Sequence, residues 1–228
     1  MHRRNRHLNP KDAGAIIALD ARFLNLSDGA SVSTWTNRTG TNNLTQATST
    51  NQPTFKTAIR GGCPVVRFDA SNDFLSVGGS INFTNQFTFI VALKNNSITN
   101  ITIIAKESDD IDFVLWGGLG LGISKSGVAW IVNQGSSSDT SWKIVSGNLS
   151  GTSSGTASIY RDGTRLNTNT TVTISLTNRP TFYVGRQGGG AYFDGDMGII
   201  IAIQSYISDS LRKRLERSLA LIYKIACN

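Results

Sequence analysis

The apolar runs of this chain are short, and turn-forming residues interrupt them roughly every 8–12 residues, the cadence of stacked antiparallel strands. The clearest instance is Gly61-Gly62-Cys63-Pro64-Val65-Val66-Arg67-Phe68-Asp69, continuing through Asn72-Asp73-Phe74-Leu75. Glycine reaches positive φ and proline fixes φ, so the stretch reads as turn, strand, turn, strand. Val66 and Phe68 fall on one face of that strand and Val65 and Arg67 on the other.

The same punctuation runs through the rest of the chain. Phe87, Phe89 and Val91 alternate along one strand, Ile101 to Ala105 form the next, and Lys125-Ser126-Gly127 marks a hairpin into Val128–Val132. Trp142–Val145, Ala157–Tyr160, Val172–Leu176 and Thr181–Val184 are further predicted strands, with Asp162-Gly163 as a tight turn among them. Asn37 to Thr54 is polar and reads as a long loop or irregular edge. Gly198 to Ile203 is continuously apolar, as a strand covered on both faces would be. Only one segment has helical spacing: Ser208-Asp209-Ser210 offers an N-cap, and Leu211, Leu215, Leu219 and Ile222 recur below it, predicting a helix over about 210–224. Charge is sparse at 16%, glycines number 23, and glutamate occurs only at Glu107 and Glu216. A chain of 228 residues can bury a sandwich core without metal or disulfide support.

The net charge of +7 is concentrated at the two ends. Arg3, Arg4 and Arg6 lie in a polar start that reads as a flexible basic arm over 1–12, ahead of one domain over 13–228. The arm is either a solvated tail or a contact for nucleic acid or an acidic surface. Arg212, Arg214 and Arg217 are expected on the wet face of the helix. Cys63 and Cys227 are read as free thiols. The run Ala15–Leu19 is too brief for a signal-peptide core, and no run approaches the ~20 apolar residues of a membrane span. The expectation is a chain made in the cytoplasm that reaches a virion, or the outside after lysis.

Several motifs in a set order carry a family resemblance: Trp35, Gln52-Pro53-Thr54, the Gly61–Asp69 stretch with Asp73-Phe74-Leu75, Tyr160-Arg161-Asp162-Gly163, Val184-Gly185-Arg186, Phe193-Asp194-Gly195-Asp196-Met197-Gly198, and the closing Ser208–Tyr223 segment. Across most of residues 15–225 the chain resembles the concanavalin A-like lectin/glucanase superfamily in its laminin-G-like form. The resemblance implies an all-β, two-sheet antiparallel jelly-roll sandwich with one C-terminal α-helix. Its members include lectins, carbohydrate-binding modules, adhesion domains, virion proteins and a few glycosidases, so fold alone leaves function open.

The glucanases of that superfamily carry Glu-x-Asp-x-x-Glu or Glu-x-Asp-x-Glu on one strand, which aims paired carboxylates into a cleft. Glu107-Ser108-Asp109-Asp110-Ile111-Asp112 is the one echo here, with Asp112 in place of the last glutamate and a turn-like polarity. His2 and His7 sit in the arm, far from any triad or zinc pattern. The chain is therefore read as a non-enzyme. Asp109, Asp110 and Asp112 are candidate calcium ligands, since loops of this family hold that ion through hard oxygens; otherwise no cofactor is expected. Asp69, Asp73, Asp194 and Asp196 read as turn residues bonding their own backbone.

A sugar needs an aromatic platform with amide and hydroxyl partners. Trp142 behind a Ser-rich loop and Tyr192 after the glycine-rich loop are the candidates, while Trp116 and Trp130 read as core. The sequons at Asn25, Asn37, Asn43 and Asn148 read as chance products of composition. Three functions follow: a non-catalytic lectin-like module binding a glycan or surface, repeated as a homo-oligomer on a virion or phage particle; a purely architectural capsid, decoration or filament subunit; and a degenerate glycoside hydrolase.

Overall fold

The computed structural model describes residues 10–79, 81, 83, 86–97, 101–106, 111–116, 120–125, 129–134, 140–151, 153–174, 181–187 and 190–228. Arg3, Arg4 and Arg6 of the basic arm, and Asp109 and Asp110, lie outside them. The described chain forms two antiparallel eight-stranded sheets and one helix, the sandwich the sequence predicts.

The first sheet is built from β1 (Ala15–Asp20), β4 (Thr54–Arg60), β5 (Cys63–Asp69), β7 (Phe87–Asn95), β12 (Lys143–Leu149), β13 (Ser153–Arg161), β14 (Thr164–Thr173) and β16 (Asp194–Ile203). Its order is β14-β13-β12-β7-β16-β5-β4, with β1 pairing β16. The second holds β2 (Thr34–Trp35), β3 (Leu44–Thr45), β6 (Leu75–Val77), β8 (Ile101–Lys106), β9 (Asp112–Trp116), β10 (Gly120–Lys125), β11 (Ala129–Asn133) and β15 (Phe182–Val184), in the order β11-β10-β9-β8-β15-β6-β3-β2. Two hairpins of the first sheet turn where the sequence places them. Gly61 and Gly62 take φ of 62° and 80° between β4 and β5, and Asp162 and Gly163 take 49° and 83° between β13 and β14. Two consecutive positive φ values are what a tight hairpin turn requires.

Two apolar layers hold the molecule together. Between the sheets lie Phe87, Phe89, Val91 and Leu93 of β7 and Met197, Ile200 and Ala202 of β16. The alternate residues, Ile90 and Ala92 with Ile199, Ile201 and Ile203, face the other way and meet helix α1 (Asp209–Tyr223). This double cover explains the unbroken apolar run in β16. Helix α1 begins where Ser208 accepts the Leu211 N–H at 3.3 Å and ends at Lys224 in the left-handed region, φ 49°. It buries Leu215, Leu219 and Tyr223, each worth roughly 1.5–3 kcal/mol of transfer free energy.

Three side chains depart from expectation. Arg212 is not on the wet face of α1: it is buried with Glu216, one helical turn on. Asp196 is not a turn residue: it is buried in β16, and its carboxylate takes Arg67 Nε at 2.7 Å and Nη2 at 3.0 Å across the β5–β16 pair. Asn37, in the predicted polar loop, is buried and organises it, accepting from Ala18 N at 2.8 Å and donating to the Ile16 and Thr41 carbonyls. A polar side chain can be buried when each atom finds a partner, and these three do. Asp69 behaves as expected, accepting the Ser71 N–H at 2.9 Å. Cys63 and Cys227 are free thiols, and burial pushes the Cys227 thiol up to about 11.

Candidate functional site

Cross-strand register decides which residues share the outer face of the second sheet. Leu75, Val184, Ile104, Phe113, Ile123 and Val132 are paired neighbours along one row, Trp35 pairs with Leu44 at the far edge, and all belong to the core between the sheets. The next row is therefore turned outward. It runs Thr34, Thr45, Ser76, Tyr183, Ala105, Asp112, Ser124 and Trp130, one residue from each strand. Hydroxyls and two aromatic residues thus line up across the sheet, although no two of them are close in sequence except by hairpin.

Near the middle of that row the aromatic contacts cluster. The Tyr183 and Phe74 rings meet edge-on with centroids 6.0 Å apart. The Arg186 guanidinium lies 4.3 Å from the Phe74 centroid and 4.8 Å from that of Tyr183, within range of a cation–π contact. Tyr192 pairs with Arg186 through the backbone, and Gln187 Nε2 donates to Asp112 Oδ2 at 2.6 Å. At the β11 end, Trp130 is seated on Gly122: a Cβ there would run into the indole ring. The half-buried Trp130 lines a cleft of about 230 Å³ between β11 and β14, with Lys125, Asn169, Thr171 and Thr173 around it. Asn169 Nδ2 donates to the Ile131 carbonyl at 2.8 Å and Asn167 Nδ2 to the Asn133 carbonyl at 2.5 Å, stitching the edges of the two sheets together. Asn169 Oδ1 in turn accepts from Thr171 N and Oγ1. The cleft is preformed by these bonds.

The two aromatic candidates from the sequence do not come together. Tyr192 borders the Arg186 cluster. Trp142 is half-buried on the other side of the sandwich, its ring parallel to Tyr223 at 5.7 Å and packed against the layer under α1. Trp130, read as core, is the tryptophan at the cleft. The glycine-laced run before it was the available signal, because a ring needs a glycine to lie flat on a strand. Of the candidate calcium ligands, Asp112 is buried at the start of β9 and accepts from Gln187. Among the described residues no group of three His, Cys, Asp or Glu side chains could hold a metal.

The carboxylates on the described chain are mostly committed. Glu216 is buried beneath α1, with Arg212 Nη1 at 2.5 and 2.6 Å and the Ser146 hydroxyl on Oε1. Asp73 is different: burial, with Asp69 nearby, pushes its carboxyl up to about 6 from 3.8. Below pH 4 both folded and unfolded states hold this proton. As pH rises from about 4 to 6 the unfolded state releases it first, so stability falls across that window and stays lower above it. Asp73→Asn is expected to remove this slope, raising Tm at pH 7 and leaving it unchanged at pH 3.5; equal shifts in thermal melts at the two pH values would show that Asp73 does not titrate this way.

No protein-family model matches the chain, and no curated protein matches it. Solved structures do. A GH54 α-L-arabinofuranosidase superposes with a TM-score of 0.70 at 10% identity, over 94% of this chain and 64% of that one. A Trypanosoma rangeli sialidase gives 0.64 at 13%, over 92% of this chain and 33% of that one. Domain 4 of AbnA, a GH43 extracellular arabinanase from Geobacillus stearothermophilus solved in complex with arabinotriose, gives 0.56 at 13%, over 71% and 81%. The chain spans about a third of the sialidase it matches. At these identities the likeness shows the fold: a β-sandwich shared with domains of carbohydrate-active proteins.

Proposed function

We propose that this chain is a non-catalytic, lectin-like sandwich of the concanavalin A-like, laminin-G-like kind, which binds a glycan at the β11 edge and outer face of its second sheet. One observation carries the reading: Trp130, seated on Gly122, lines a rigid cleft together with Asn169, Thr171 and Thr173. A flat apolar ring beside oriented amide and hydroxyl groups is what a pyranose or furanose needs, an apolar ring face edged by hydroxyls. The carbohydrate-active proteins that share the fold favour the same ligand class. The non-catalytic part of the reading rests on the sequence, whose one echo of a glucanase motif, Glu107 to Asp112, lacks the closing glutamate.

A glycan array that includes arabino-oligosaccharides and sialylated glycans tests this. The wild-type chain is expected to retain at least one sugar, and Trp130→Ala to weaken it tenfold or more, about 1.4 kcal/mol. Trp142→Ala, on the opposite side, is expected to leave the affinity unchanged. No sugar retained by wild type, or equal retention by Trp130→Ala, would overturn the reading. Release of sugar from any of these substrates by the wild-type chain would overturn its non-catalytic part.

A further inference from the structure

A second cleft lies on the other side of the sandwich, where β1, the loop after β2 and helix α1 meet. Its volume is about 220 Å³, its wall is apolar (Ile199, Leu219, Ile222), and its mouth carries Arg22, Phe23 and Arg38. Phe23 is 57% exposed, unusual for so large an apolar ring. The Arg38 guanidinium stacks on it 3.3 Å from the ring centroid, and Arg22 lies 5.7 Å away.

The two arginines are not equivalent. Arg22 is neutralised: Asp20 takes its Nε at 3.0 Å and its Nη2 at 2.6 Å. Arg38 has no ion pair and no side-chain hydrogen bond among the described residues. The mouth therefore carries a surplus positive charge above an apolar body. That charge is also held in place. Arg38 N donates to the Ala18 carbonyl at 3.0 Å, and its neighbour Asn37 is anchored to Ala18, Ile16 and Thr41 by buried hydrogen bonds. Asp20 caps the short turn that presents Arg22 and Phe23. A backbone fixed in this way lowers the ordering cost of binding.

We infer that this cleft is a binding site for a small carboxylate with an apolar, preferably aromatic, body: the carboxylate pairs with Arg38, and the body enters between Ile199 and α1. The cleft is smaller than the pockets that take drug-sized ligands, so the ligand has roughly ten non-hydrogen atoms. A guanidinium prefers a carboxylate to a neutral amide, because its planar fork matches the two oxygens. The site is separate from the Trp130 cleft and does not depend on glycan binding.

Titration of the full chain with phenylacetate and with phenylacetamide, followed by NMR shifts or calorimetry, tests this. Phenylacetate is expected to bind saturably, and phenylacetamide roughly tenfold more weakly. Arg38→Met, an exposed substitution, is expected to bring phenylacetate down to the amide's affinity at unchanged Tm; Phe23→Ala is expected to weaken both ligands. Trp130→Ala is expected to change neither, which separates this site from the glycan cleft. Equal affinity for acid and amide, an unaffected Arg38→Met variant, or no saturable binding of phenylacetate by about 10 mM would overturn the inference.

Discussion

Truncating either member of the Arg212–Glu216 pair should cost several kcal/mol, while replacing both with apolar residues should cost little. Both side chains are about 1% exposed, 2.5 Å apart, and walled in by the first sheet. Arg212 also stacks 3.5 Å from the Tyr160 centroid and donates from Nη2 to Asp209 Oδ1 at 2.6 Å. Removing one partner of such a pair strands a buried charge, with a penalty of about 3–5 kcal/mol. The two truncations should differ. Glu216→Ala leaves Arg212 with Asp209, so its loss belongs at the low end of that range. Arg212→Ala leaves Glu216 with only Ser146. Burial already pushes the Glu216 carboxyl above its usual value against the pull of Arg212. Without the arginine it keeps its proton to higher pH. Stability of Arg212→Ala should therefore fall further as pH rises, because the unfolded chain releases that proton first. Arg212→Met/Glu216→Leu should lie within about 1 kcal/mol of wild type. Urea titrations of the four proteins read this directly. Equal stability of Arg212→Ala and wild type would mean that the pair is solvated rather than buried.

The second large effect is expected at Gly198. Its backbone is unremarkable for any residue, so the requirement for glycine is one of space. A Cβ at this position would overlap the Tyr223 ring. That ring cannot step aside: its hydroxyl donates to the Pro64 carbonyl at 3.2 Å, and Trp142 lies parallel to it. Overpacking a fixed core position is worth typically 1–3 kcal/mol, and Gly198→Ala should reach the top of that range, about 3 kcal/mol. The two sites should be coupled. Once Tyr223→Ala has removed the ring, adding Gly198→Ala should cost less than about 0.5 kcal/mol more. Additive losses in that double-mutant cycle would place the penalty elsewhere than in the ring.

The strands were legible because their signals are local. Alternation in Phe87-Thr88-Phe89-Ile90-Val91 reports one face of one strand, and the unbroken run from Gly198 to Ile203 reports a strand covered twice. Asp162-Gly163 and Gly61-Gly62 report turns whose φ values only such residues adopt readily. The helix was legible from its cap and its spacing, but its buried face was misjudged. Arg212 stands three residues before Leu215 and Glu216 three before Leu219, at core spacing, yet the charge of Arg212 argued for solvent. Only the sheet beneath them, with Ser146 and Tyr160 in reach, makes that burial tolerable.

The candidate sites were less legible, and for a different reason. Trp130 and Tyr183 share a face because eight strands are registered against one another, and Arg38 meets Phe23 because Asn37 ties its loop to β1. Trp142 looked free because nothing near it in sequence covers it; Tyr223 does. By itself, then, the sequence determined the all-β class, the turns and the single terminal helix, since each depends on residues within a few positions of one another. The tertiary structure alone decided which charges are buried, which tryptophan lines a cleft and where a second cleft opens, because those depend on the pairing of segments far apart along the chain.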